Sequence, residues 1–77
     1  MVVTVLSLYS DGFNPLDDVY IVSVVGVEGY PNPLSVRSTR KMHRGQRYQV
    51  TLPSPRQCQR LYNNDQYPLI EDAIHIL

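Results

Sequence analysis

The chain has 77 residues, 43% of them hydrophobic and 18% charged, and its seven Lys and Arg balance its seven Asp and Glu to a net charge of zero. That length holds one domain that buries only about 60–65% of its unfolded surface, with a stability of roughly 4–10 kcal/mol, and it disfavours a deep catalytic cleft. The hydrophobic content excludes a disordered chain, and no apolar run approaches the ~18 residues needed to span a bilayer.

Val2–Tyr9 is short and rich in β-branched residues, with apolar side chains at both parities. It predicts a strand covered on both faces. It lacks the basic start and small-residue cleavage site of a signal peptide. Residues 10–18 contain Asp11-Gly12 and Asn14-Pro15, two breaker pairs. They predict a loop whose Phe13 and Leu16 tuck back onto the core. Val19–Val27 gives the strongest strand signal, interrupted only by Ser23 and Gly26, and Gly26 marks a bulge or bend. Gly29-Tyr30-Pro31-Asn32-Pro33 then predicts a rigid turn.

Leu34–Thr39 and Gln46–Leu52 both alternate apolar and polar residues with period two. They predict a hairpin turned at Arg44-Gly45, with Ser35, Arg37, Thr39, Arg47, Gln49 and Thr51 on its outer face. Gly45 is the residue suited to a positive φ there. Ser54 followed by Pro55 and Gln57 forms a helix start signal, a capping box with proline in the first turn. It predicts a helix over 55–63 with Cys58, Leu61 and Tyr62 on one face, ended by Asn63-Asn64-Asp65. Residues 68–77 fit a helix or a strand, and the short β-branched run Ala-Ile-His-Ile-Leu favours a strand. The order β-β-β-β-α-β defines an α+β fold, a small antiparallel β-rich domain built as a half-open barrel or as a sheet with one packed helix.

Charge is segregated along the chain. Residues 1–36 carry Asp11, Asp17, Asp18 and Glu28 and no base; 37–60 carry Arg37, Arg40, Lys41, Arg44, Arg47, Arg56 and Arg60 and no acid; 61–77 carry Asp65, Glu71 and Asp72. Arg is suited to bidentate contact with carboxylate or phosphate. Arg56 and Arg60, four apart on a helix, repel by a few tenths of a kcal/mol, so local stability does not explain them. The plain alternative is a solvated surface, or one neutralised by the seven acids folding against it. Tyrosine is the second feature: six Tyr, one Phe and no Trp. Tyr20, Tyr30, Tyr62 and Tyr67 are candidates for partial exposure, a pattern shared by interfaces and by the rims of small cores, and Tyr30 between Gly29 and Pro31 is the best of them. The chain lacks the aromatic set that would make a proline-peptide groove.

Cys58 rules out an internal disulfide and suits a reducing, cytoplasmic setting. A nucleophilic pair of Cys58 with His43 or His75 has little support, because a cysteine on an apolar helix face is usually inert. Asp17-Asp18 and the two His give no metal spacing, and no cofactor motif is present. The sequence therefore predicts a non-enzymatic protein-binding or assembly module. Its partner-binding residues are Arg37, Arg40, Lys41, His43, Arg44, Arg47, Arg56, Arg60 and Tyr30. Its partner is an acidic protein surface, including that of another copy in a homo-oligomer. The alternatives are a binder of the nucleic-acid phosphate backbone through the same segment, and a structural subunit of a viral or phage assembly.

Overall fold

The computed structural model describes residues 1–14 and 17–77, and describes the side chains of all of these except 10–14 and 17. Seven elements follow in order: β1 (Val2–Asn14), β2 (Asp17–Val25), β3 (Leu34–Ser38), β4 (Arg47–Gln49), α1 (Pro55–Asn63), β5 (Leu69–Ile70) and β6 (Ile74–Ile76). All six strands join one sheet in the order β5-β3-β2-β1-β4-β6.

The α+β class holds, as does the half-open barrel, and the reason lies in the last strands. β5 pairs in parallel with β3 at one edge, while β6 pairs antiparallel with β4 at the other. A flat sheet of six strands is about 24 Å across its five spacings. Four Cα–Cα steps from Ile70 to Ile74 reach at most about 14 Å. The sheet must therefore curl until its edges approach, and residues 71–73 strap the gap. A radius of gyration of 11.3 Å matches the ~11.5 Å of a compact chain of this length.

Several sequence expectations are corrected. Residues 10–18 are not one loop, since β1 continues to Asn14 and β2 begins at Asp17, with Asn14 opposite Asp17. The expected packing of Phe13 and Leu16 lies outside the described residues. β3 and β4 do not form a hairpin: β2 and β1 stand between them. Alternation predicted which side chains face inward, but it carries no information about which strand is the neighbour. The last segment is two strands rather than one, and the β3–β5 pairing makes the sheet mixed.

The pairing of β1 with β2 has three register shifts, the third between Ser10 and Asn14, and the first two each leave one residue over. Val5 pairs with Val22 and Ser7 with Ile21, leaving Leu6 over; Leu8 pairs with Tyr20 and Ser10 with Val19, leaving Tyr9 over. Each extra residue shifts parity and deepens the twist. Leu6, Leu8 and Tyr9 are consequently exposed, so the strand is not covered on both faces along its length.

The concave face is the core. Val3, Val5, Tyr20, Val22, Leu34 and Val36 are buried there, with Tyr48, Val50 and Ile70 beside them. Met42, Cys58 and Ala73 close it from the loop, the helix and the strap. The helix forms as its sequence signals predict: the Ser54 side chain accepts from the Gln57 N–H at 3.3 Å, and Pro55 opens the first turn. Cys58 is its buried anchor, while Tyr62, expected on the apolar face, is exposed. The helix ends in a paired motif in which the Gln66 N–H donates to the Leu61 carbonyl (2.8 Å) and the Asp65 N–H to the Tyr62 carbonyl (3.1 Å). This places Asp65 in the left-handed region, at φ +55°.

That conformation normally favours glycine, and an aspartate there carries a conformational cost. Asp65→Gly is expected to stabilise the fold by about 0.5 kcal/mol, allowing for the extra freedom of glycine in the unfolded chain. Urea unfolding checks this, and a loss of stability would refute it.

Candidate functional site

Residues 39–46 connect β3 to β4, and they carry the cations Arg40, Lys41 and Arg44 with His43 among them, all exposed. The backbone beneath them is tied down at almost every residue. The Thr39 N–H donates to the Ile70 carbonyl (3.1 Å), the Gly45 N–H to the Val5 carbonyl (2.8 Å), and the Gln46 N–H to the His43 carbonyl (3.1 Å). Ser38, buried at the end of β3, accepts from the Arg40 N–H (3.2 Å) and donates to the Arg40 carbonyl (2.7 Å).

Two core tyrosines provide the remaining anchors. The Tyr20 hydroxyl accepts from the Met42 N–H at 3.1 Å, and the Tyr48 hydroxyl accepts from the His43 N–H at 2.7 Å. Burial pushes the Tyr20 phenol above its ordinary pKa, with Asp18 adding to the shift. The neutral hydroxyl donates in turn to Asp18 Oδ2 at 3.3 Å. Tyr20 was expected to be partly exposed, but its ring is buried. Met42 sits in the core and draws the loop inward at its centre. Gly45 has the positive φ expected of it, +82°. Six of the eight backbone N–H groups in 39–46 are thus hydrogen-bonded, and the cationic side chains face away from a fixed backbone.

The other predicted residues do not join this group. Arg37 and Arg47 both lie on the convex face, but β2 and β1 separate their strands by three spacings, about 14 Å. Arg37 is half-buried and Arg47 exposed. Arg56 and Arg60 are exposed on the helix and line a shallow notch of about 220 Å³ with Ser54 and Gln57. The helix begins with Pro55 against Gly29, beyond the end of β2, whereas the loop follows the far end of β3. The single basic block of the sequence therefore becomes three separate features. Arg60 lies in the last helical turn, where the dipole favours it, while Arg56 at the start gains no such help. Tyr30, expected to be exposed, is half-buried against the core, and its hydroxyl donates to the Pro53 carbonyl at 2.8 Å. Tyr62 and Tyr67 are exposed as predicted.

Arg40 reaches the strap, its Nη1 donating to the Ala73 carbonyl at 3.4 Å. Asp72 accepts from the Thr51 N–H at 3.1 Å and from the Thr51 hydroxyl. These bonds, with the Arg40 charge nearby, hold its carboxyl below the ordinary carboxylate value. Asp11 and Asp17 as counter-charges, and Asp17-Asp18 as a pair, lie outside the described side chains. Cys58 is buried, its thiol is directed at the Pro53 carbonyl (3.7 Å), and desolvation raises its pKa. His75 packs on the Tyr48 ring at a centroid distance of 5.1 Å and meets Gln46 Oε1 at 3.1 Å. Among the described residues, no group of three His, Cys, Asp or Glu is placed to hold a metal ion. No described helix is long and apolar enough to cross a membrane. No family model, no curated protein and no solved structure matches this chain.

Removing the Tyr48 hydroxyl strips the His43 N–H of its acceptor. Tyr48→Phe is expected to cost about 1–2 kcal/mol and to speed exchange of the His43 amide by roughly five- to thirtyfold, since about 1.4 kcal/mol corresponds to a factor of ten. Native-state hydrogen exchange reads this, and unchanged His43 protection would show that the hydroxyl does not hold the loop. For Asp72, a depressed folded pKa means a contribution present above the ordinary value of 3.8 and lost as pH falls through the folded value. Asp72→Asn is expected to melt below wild type at neutral pH, with the gap closing in acid. A gap that stayed constant in melts across pH would contradict the assignment.

Proposed function

We propose that this protein is a non-enzymatic protein-binding module whose cationic loop docks on an acidic protein surface, either of a partner or of a second copy. The observation that supports this reading is the clamped backbone under Arg40, Lys41, His43 and Arg44. Ordering a loop on binding is costly, and a loop already held in one conformation avoids most of that cost. Four adjacent cationic or titratable side chains on a rigid base also steer encounter and set orientation. The free, buried Cys58 suits a reducing compartment such as the cytoplasm.

A Glu-rich peptide and a random-sequence RNA, each titrated at several salt concentrations, test this reading. The peptide is expected to bind at low salt, and Lys41→Glu/Arg44→Glu to weaken it by roughly tenfold or more. Undiminished binding by that variant would remove the loop from the account. RNA binding with a steep salt slope, about −0.9 per phosphate contact, together with no response to the peptide, would turn the reading to nucleic acid. Light scattering across concentration tests the self-paired form, which a strict monomer would exclude.

A further inference from the structure

A second surface is built from tyrosines that the sequence keeps far apart. Tyr9 is the second unpaired residue of β1, and it is 62% exposed. Tyr62 in the last turn of the helix is 57% exposed, and Tyr67 beyond it is 37% exposed. These three rings line one open cleft of about 440 Å³ together with Ser35 on β3. Asn63, Asp65 and Gln66 complete the lining from the turn that ends the helix. That volume lies within the range of about 300–1,000 Å³ typical of ligand pockets. Its walls are fixed at the backbone, by the strand irregularity at Tyr9 and by the paired hydrogen bonds of the helix end.

Three phenolic hydroxyls, the Ser35 hydroxyl and the Gln66 amide line the cleft, and each can both donate and accept a hydrogen bond. Asn63 Oδ1 already accepts from Gln59 Nε2 at 3.3 Å, which leaves its NH₂ as its offering. Among the described lining residues, Asp65 is the charged one. A ligand that suits this lining has flat apolar faces for the rings, carbonyls that accept from the hydroxyls and amides, and a positive charge for Asp65. An extended proline-rich peptide has these properties: its carbonyls are unpaired, proline has no N–H, and its rings pack between aromatic side chains. We propose that this cleft binds an extended proline-rich peptide with a Lys or Arg beside its prolines, the cation meeting Asp65. The absence of a local aromatic cluster in the sequence is overcome by folding, which gathers residues 9, 62 and 67. The site is independent of the cationic loop.

The test is a titration of ¹⁵N-labelled protein with an oligoproline peptide ending in Arg, and with its Glu-ended counterpart. Saturable amide shifts at residues 9, 35 and 62–67 are expected. Tyr62→Ala/Tyr67→Ala is expected to weaken binding about tenfold. Tyr62→Phe/Tyr67→Phe keeps the rings, so it decides the matter should the alanine pair fail to fold, and a severalfold loss is expected from its missing donors. Asp65→Asn, which tolerates the left-handed backbone, is expected to abolish the preference for the Arg-ended peptide. The proposal is overturned if no saturable shifts occur or if they lie elsewhere. It is equally overturned if the folded tyrosine variants bind as wild type, if both peptides bind alike, or if a neutral oligosaccharide fills the cleft while the peptides do not.

Discussion

Between Ile70, hydrogen-bonded beside β3, and Ile74, beside β4, the chain has three residues in which to travel from one edge of a six-stranded sheet to the other. No flat arrangement allows it, so the strap dictates the curl, and the curl creates a concave face small enough for one helix and one loop to close. The strap is itself held at three points: Asp72 by Thr51, the Ala73 carbonyl by Arg40, and the Ala73 side chain by burial. Each of these ties a late residue to one on the far side of β3 or β4. Closure is thus a tertiary property, and its loss would open both sheet edges together.

The cationic loop depends on that closed core through the reciprocal needs of two polar groups. A buried tyrosine needs a partner for its hydroxyl, and a loop crossing the end of a core needs acceptors for its N–H groups. Tyr20 and Tyr48 stand on adjoining parts of the concave face, with their hydroxyls at the loop. One arrangement satisfies both needs and fixes the backbone from Met42 to His43. Three cations, Arg40, Lys41 and Arg44, within five residues repel one another wherever the backbone goes. Holding that backbone by hydrogen bonds from beneath lets them be displayed without unfolding the segment.

The parts of the fold that were legible in the sequence are those set by local chemistry. Ser54, Pro55 and Gln57 announced the helix because capping acts over three residues, and alternation along β3 and β4 announced which side chains go inward. Pairing was illegible, because β3 next to β2 and β3 next to β4 bury the same faces. The two extra residues of β1 were hidden for a related reason: Leu6 and Tyr9 look like ordinary strand residues and become irregular only against the spacing of β2. The breaker pair at Asp11-Gly12 pointed to a loop, yet β1 runs through it to Asn14, which lies opposite Asp17. Asp65 could not be recognised as a left-handed cap because glycine, the usual marker, is absent there. Of the site, the cations of 40–44 were legible as charge, but their clamp and the separation of Arg56 and Arg60 from them were not.

The tyrosines divide into two groups, and the division bears on function. Tyr20, Tyr30 and Tyr48 turn their hydroxyls to backbone groups and their rings to the core. Tyr9, Tyr62 and Tyr67 leave their rings in solvent around one cleft. Core building explains the first group completely. It does not explain the second, since a chain this small has little surface on which to carry exposed aromatic area, and clustering that area raises the risk of association. Tyrosine lowers that risk relative to phenylalanine because its polar tip stays hydrated while its ring remains available for contact. The cationic loop and the tyrosine cleft are also chemically distinct: one is charged and lacks exposed rings, while the other is aromatic with a single acid. The two proposed contacts would thus rest on different chemistry carried by one domain, and a net charge of zero conceals the first of them.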